Sequence, residues 1–109
     1  GLNESIVDIT TGEPVIPDKF TLFQNFPNPF NPETTIKYQL PQTANVRLEI
    51  YNVAGQKVTT LVDRQQAAGL RSVDWDGTSQ SGEAVSSGIY IYRIETGDFS
   101  EARKMVLIR

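Results

Sequence analysis

Apolar side chains in this chain recur at every second residue, in short runs that glycine, proline and asparagine keep interrupting. That rhythm confines the chain to β-structure. Thr34–Leu40 sets Ile36, Tyr38 and Leu40 on one face and Lys37 and Gln39 on the other. Asn45–Val53 repeats the pattern, with Val46, Leu48 and Ile50 facing in and Arg47 and Glu49 facing out. At Ala54-Gly55-Gln56, Gly55 supplies the positive φ of a tight turn, and Lys57–Val62 runs back. Asp63–Gly69 reads as a polar connection, with room for one helical turn over Arg64–Gly69 and nothing longer. Leu70–Trp75 places Val73 and Trp75 together. Gly88 then opens Ile89–Thr96, whose Tyr90, Tyr92 and Ile94 share a face. Gly97-Asp98 turns the chain into a last strand that starts at Phe99 or Ser100 and runs to Ile108. No window supports a 3.6-residue period. The expectation is an all-β sandwich of six to seven mostly antiparallel strands. Its core is expected to hold Trp75, Tyr90, Tyr92, Ile36, Leu48 and Ile50.

The chain before this pattern divides in two. Residues 1–18 read as a linker from an upstream domain, because Pro14 and Pro17 forbid regular hydrogen bonding on both sides of Val15. A competing reading makes Ser5–Thr10 an edge strand. From residue 19 the texture becomes that of a folded domain, 19–109. Phe20, Leu22, Phe23 and Phe26 bring apolar area, and Pro27-Asn28-Pro29-Phe30-Asn31-Pro32 forbids helix and central strand alike. This stretch is expected to form a rigid loop with Phe26 and Phe30 tucked against the sandwich edge, its asparagines closing Asx-turns. With 109 residues, 39% of them apolar, the chain supports one core. It holds no apolar run long enough to cross a bilayer as a helix. No charged-then-apolar leader opens it, so an export leader is expected further upstream in a longer protein.

Composition closes off most chemistry. A net charge of −3 disfavours nucleic acid as a partner, since phosphate binding needs a positive surface. There is no cysteine and no histidine. Disulfides, thiolate sites and thiol catalysis are therefore excluded, and the commonest general base and transition-metal ligand are missing. The serines lack a histidine partner for a hydrolytic triad. Glu49, Asp63, Asp74, Asp76 and Glu83 are scattered over strand exteriors and loops, as solvated surface acids are. Asp74 to Glu83 offers oxygen ligands and glycines, but its glycine falls at the fourth position and its twelfth residue is Val85, a poor match to a calcium loop. The preferred reading gives Asp76 an Asx-turn and lets Gly77 and Gly82 shape the loop. No catalytic, cofactor or metal site is expected, and no small-molecule substrate.

Two features remain. Tyr38, Tyr51, Tyr90, Tyr92 and Trp75 supply flat faces that suit sugar stacking, although alternate aromatics on strands more often fill a sandwich core. The last strand carries Met105-Val106-Leu107-Ile108 flanked by Lys104 and Arg109. The residues alone leave open whether this is an ordinary last strand or a strand end offered for capture by another protein. They also leave its register open, since a slip of one residue exchanges the two faces.

The order of short motifs is itself informative. Phe23-Gln24-Asn25-Phe26-Pro27-Asn28-Pro29-Phe30-Asn31-Pro32 continues to Ile36. Ile50-Tyr51-Asn52-Val53-Ala54-Gly55-Gln56-Lys57-Val58, Trp75-Asp76-Gly77, Gly88-Ile89-Tyr90-Ile91-Tyr92 and Lys104 to Arg109 follow. Across residues 19–109 this set resembles the C-terminal sorting domain of proteins exported by the type IX (Por) secretion system of Bacteroidetes and relatives. It also resembles the immunoglobulin-like domain of the flagellar hook-capping protein, which shares the Trp-Asp-Gly and Gly-x-Tyr-x-Tyr segments. The resemblance implies an immunoglobulin-like sandwich that is not an enzyme. It further implies that the domain directs an upstream cargo through the outer-membrane translocon for release or surface attachment. The protein would be in the periplasm in transit and then at the cell surface or outside. A sortase-like peptidase would cut within Gly1–Lys19. The translocon would read Lys104, Met105, Val106, Leu107, Ile108 and Arg109, the last a departure from the usual lysine. Gly55, Trp75, Asp76, Gly77, Gly88, Tyr90 and Tyr92 would serve structure. Two rival readings are a carbohydrate- or surface-binding accessory module and a hook-cap-type structural domain, the latter less expected at a chain end.

Overall fold

A computed structural model describes residues 18–109. The linker, its proposed cleavage point and the alternative strand at Ser5–Thr10 lie, apart from Asp18 and Lys19, outside the described residues. Seven strands form: β1 (Thr21–Leu22), β2 (Thr34–Leu40), β3 (Ala44–Asn52), β4 (Lys57–Gln66), β5 (Gly69–Trp75), β6 (Gly88–Thr96) and β7 (Phe99–Leu107). They make two antiparallel sheets, one ordered β1-β2-β5 and the other β4-β3-β6-β7. This is an all-β, immunoglobulin-like sandwich, as the alternation and the motif order led us to expect.

The alternating residues meet between the sheets. Ile36, Tyr38 and Leu40 from β2, Val46, Leu48 and Ile50 from β3, and Tyr90, Tyr92 and Ile94 from β6 are all buried. Trp75 closes one end of this core, with the rings of Phe30 and Tyr90 at 5.8 and 5.4 Å. Of the aromatics considered for sugar stacking, Tyr38, Tyr90, Tyr92 and Trp75 belong to the core. Tyr51 alone is partly exposed, and its hydroxyl donates to Glu49 at 2.6 Å.

Three expectations need correction. The polar stretch Asp63–Gln66 continues β4 instead of forming a connection or a helical turn. It pairs residue by residue with Arg47–Ala44 of β3, Asp63 standing opposite Arg47. Asp63, Arg64 and Gln65 are all exposed there, so their side chains need no apolar alternation. Phe26 is not tucked in but is 79% exposed, whereas Phe30 is buried. Phe26 exchanges both backbone hydrogen bonds with Thr35, and its side chain follows Thr35 to the outer face of the sheet. Val53 lies in the turn beyond β3 and is exposed.

The last strand as candidate functional site

Pairing with β6 fixes the register that the apolar run left open. Ile89 faces Val106, Tyr90 faces Met105, and Gly88 faces Leu107. Met105 and Leu107 therefore enter the core, fully buried, while Lys104, Val106 and Ile108 turn to the outer face, Ile108 half exposed.

The free edge expected for an outermost strand is absent over its last residues. Residues 24–30 lie along it as a strap. Gln24 donates its amide to the Lys104 carbonyl at 2.8 Å. The Val106 amide donates to Asn28 Oδ1 at 2.9 Å, and its carbonyl accepts from Phe30 N at 3.0 Å. Ile108 N closes the set on the Phe30 carbonyl at 2.9 Å. From Lys104 to Ile108 the strand end thus has its outward backbone groups engaged. Capture by simple strand addition would have to displace the strap. The strap itself is anchored from below. The Tyr92 hydroxyl accepts from Asn25 N at 2.8 Å and donates to the Phe23 carbonyl at 2.7 Å.

Burial pushes the Tyr92 phenol up to about 12, against a smaller opposing effect of the Asn25 N–H. Because the folded value lies above the unfolded value of 10.0, the contribution of neutral Tyr92 is complete below pH 10 and is lost as pH rises through about 12. Wild type should lose stability over this window, and Tyr92→Phe should lose less there while starting lower at neutral pH. Urea midpoints measured from pH 8 upward test this; parallel curves for the two proteins would refute it.

Arg109, beyond the end of β7 and exposed, grips the loop after β5. Its guanidinium donates to the Gly77 and Val85 carbonyls, both at 2.5 Å, and its backbone N–H reaches Ser87 Oγ at 2.8 Å. This gives the Trp-Asp-Gly motif its physical meaning. Trp75 Nε1 donates to the Thr78 carbonyl at 2.9 Å, and Asp76 Oδ1 accepts from the amide and hydroxyl of Thr78, the Asx-turn foreseen from sequence. Gly77 sits between them at φ +76°, where a Cβ would stand 2.6 Å from Arg109 Nη2 and 3.2 Å from the Pro32 carbonyl. Gly77→Ala should cost about 1–3 kcal/mol, through positive φ and displacement of Arg109. An unchanged denaturation midpoint would rule that out. Gly55 serves a turn at φ +83°, and Gly88 opens β6 opposite Leu107. Tyr90 ties the same end together by donating to the Ser86 carbonyl at 2.7 Å.

The six residues of the expected recognition segment therefore do two jobs. Met105, Leu107 and Arg109 hold the fold; Lys104, Val106 and Ile108 are presented on its outer face. Among the described residues no group of three acidic side chains gathers closely enough to hold a metal ion.

Residues 30–98 match the family model described as the FlgD Ig-like domain. The chain belongs to the FlgD Ig-like domain family. That family is structural and non-catalytic. No curated protein sequence matches the chain. Among solved structures it is similar to dimeric latent PorU from Porphyromonas gingivalis, at 24% identity and a TM-score of 0.68. The match covers 88% of this chain and 10% of that one. PorZ from the same organism, described as an essential surface component of its type IX secretion system, gives 21% identity and a TM-score of 0.56 over 81% of this chain and 11% of its own. FlgD from P. aeruginosa gives 21% identity and 0.55, covering 86% of this chain and 77% of that one. This FlgD-family sandwich thus spans about a tenth of each of the two Porphyromonas chains. At these identities the likeness is one of fold.

Proposed function

We propose that this FlgD-family sandwich is the sorting domain of an exported bacterial protein, carrying an upstream cargo domain to an outer-membrane type IX translocon. The cargo would then be released or attached to the cell surface after a sortase-like peptidase cuts within Gly1–Lys19. The observation that carries the reading is the last strand. Its end, from Lys104 to Ile108, is bonded to the strap and buries Met105 and Leu107, yet it presents a basic and two aliphatic side chains, Lys104, Val106 and Ile108, on the outer face. The likeness to a surface component of a type IX system supports it. So does the order of motifs from Phe23 to Arg109.

A second reading has its own support. The family takes its name from FlgD, and a hook-cap-type role would make the domain a structural module assembling with copies of itself. The core position of four of the five candidate aromatics counts against a sugar-stacking platform built from them.

The test is export. A fluorescent cargo with a periplasmic leader, fused ahead of this chain, should reach the surface or medium of a type IX-competent host. It should remain in the periplasm of the same host without its translocon. Retention in both hosts, with the domain folded, would refute the sorting role and turn attention to self-assembly.

A further inference from the structure

The outer face of the four-stranded sheet changes character along its length. Toward the β6–β7 turn it is a lattice of paired charges: Arg47 with Glu95, Arg93 with Glu95, and Glu49 with Lys57 and Arg47. Toward the other end, register places Lys57, Tyr51, Ile91 and Lys104 side by side across all four strands. The adjoining row pairs Ile89 with Val106, and Ile108 follows. Ile89 and Ile108 are about half exposed, at 46% and 50%, and Tyr51, Ile91 and Val106 are partly so. The result is an aliphatic patch with one aromatic, bordered by Lys104 on one side and on the other by Lys57, which pairs with Glu49 at 3.6 Å. Such a patch, apolar at its centre and charged at its rim, has the anatomy of a protein interface.

We infer that this face is the surface through which the translocon recognises the domain, and that its partner is a protein with an apolar centre and an acidic rim. The inference rests on the sorting function proposed above and changes which atoms do the sorting. Over Lys104–Ile108 the edge of β7 is filled by the strap, so the main-chain route is closed along the stretch expected to carry the signal. Of the last six residues, only Lys104, Val106 and Ile108 contribute side chains to the patch. The remainder comes from β3 and β6, far upstream in sequence. Charge selects the occupant. Lys104 makes no ion pair among the described residues, and Glu49, on the same outer face, is already held by Tyr51 and Lys57. A second copy of this chain would bring to Lys104 face acids that are already paired, Glu49 with Lys57 and Arg47, and Glu95 with Arg47 and Arg93. An acidic lipid surface calls for clusters of about four to eight basic residues, more than the two lysines here on a chain of net charge −3.

The discriminating variant lies outside the last strand. Ile89→Asn with Ile91→Asn, in the cargo fusion, should lower surface signal at least about tenfold, the effect of losing one good interface anchor. Val106→Asn with Ile108→Asn should do the same. In both variants circular dichroism and the thermal transition should match wild type. If the wild-type fusion is exported and the folded Ile89/Ile91 variant is exported equally well, the face inference is overturned and the sorting role stands. If wild type itself is retained, both fall. Light scattering and pelleting with vesicles of one part phosphatidylglycerol to three parts phosphatidylcholine complete the test. Dimerisation or vesicle binding that disappears in the Ile89/Ile91 variant would assign the face to a second copy or to lipid, and would equally overturn the inference.

Discussion

Trp75→Ala is expected to bring this domain close to unfolding at room temperature. The indole is buried between Phe30 and Tyr90, and its N–H satisfies the Thr78 carbonyl. Removing it opens a cavity worth about 3–5 kcal/mol and strands that carbonyl. A domain of this size commonly has only about 5–15 kcal/mol in total. The loss also reaches the last strand, since the loop that Trp75 organises is the one Arg109 grips. Far-ultraviolet circular dichroism against urea would show a transition shifted toward zero denaturant. Trp75→Phe, which keeps part of the volume, should fall between. A variant as stable as wild type would mean that the end of the core closes without this ring.

The second large effect separates two neighbours on one strand. Leu107→Ala should cost about 2–5 kcal/mol, because the side chain is fully buried opposite Gly88. Ile108→Ala, one residue on, should stay within about 0.5 kcal/mol, as substitutions at exposed positions usually do. Urea midpoints of the two variants measure the contrast directly, and similar losses would show that the register described here is wrong. The contrast also governs how the segment is studied. Deleting Lys104–Arg109 removes Met105 and Leu107 from the core along with any recognition surface. Failure of such a truncation to be exported would report misfolding as readily as a lost signal. Point changes at outward positions avoid the confusion.

What was legible in the sequence follows from where the physics is local. Ile36, Leu48 and Ile50 could be placed in the core because each sits in a strand whose opposite face is polar, and Tyr90 and Tyr92 because they alternate with Ile94 on one face of β6. The Asx-turn at Asp76 and the turn at Gly55 were readable for the same reason: a few adjacent residues determine them. Met105–Ile108 was not, because it is apolar on both faces and only its pairing with β6 assigns a side. The exposure of Phe26 depends on its bridge to Thr35, which a loop of prolines and asparagines does not announce. The strap and the Arg109 latch were missed altogether. Their donors and acceptors come from opposite ends of the domain, and no local pattern encodes them. The glycine of Trp-Asp-Gly was the one available signal, since a required glycine implies that something comes close to it.

The hydrogen bonds between strap and last strand have a consequence in time. Gln24 and Lys104 are 80 residues apart, Asn28 and Val106 are 78, and Leu22 and Arg103 are 81. Thr21–Phe26 can pair with β2 early, but the strap completes its hydrogen bonds only when the last strand is in place. Loop closure over such distances is slow, and sandwiches with this pattern of contacts fold on the scale of milliseconds to seconds. A ribosome releasing this chain, or a membrane channel passing it N-terminus first, would hold an incomplete sandwich until the final strand emerged. Completion of the fold therefore waits for the arrival of β7.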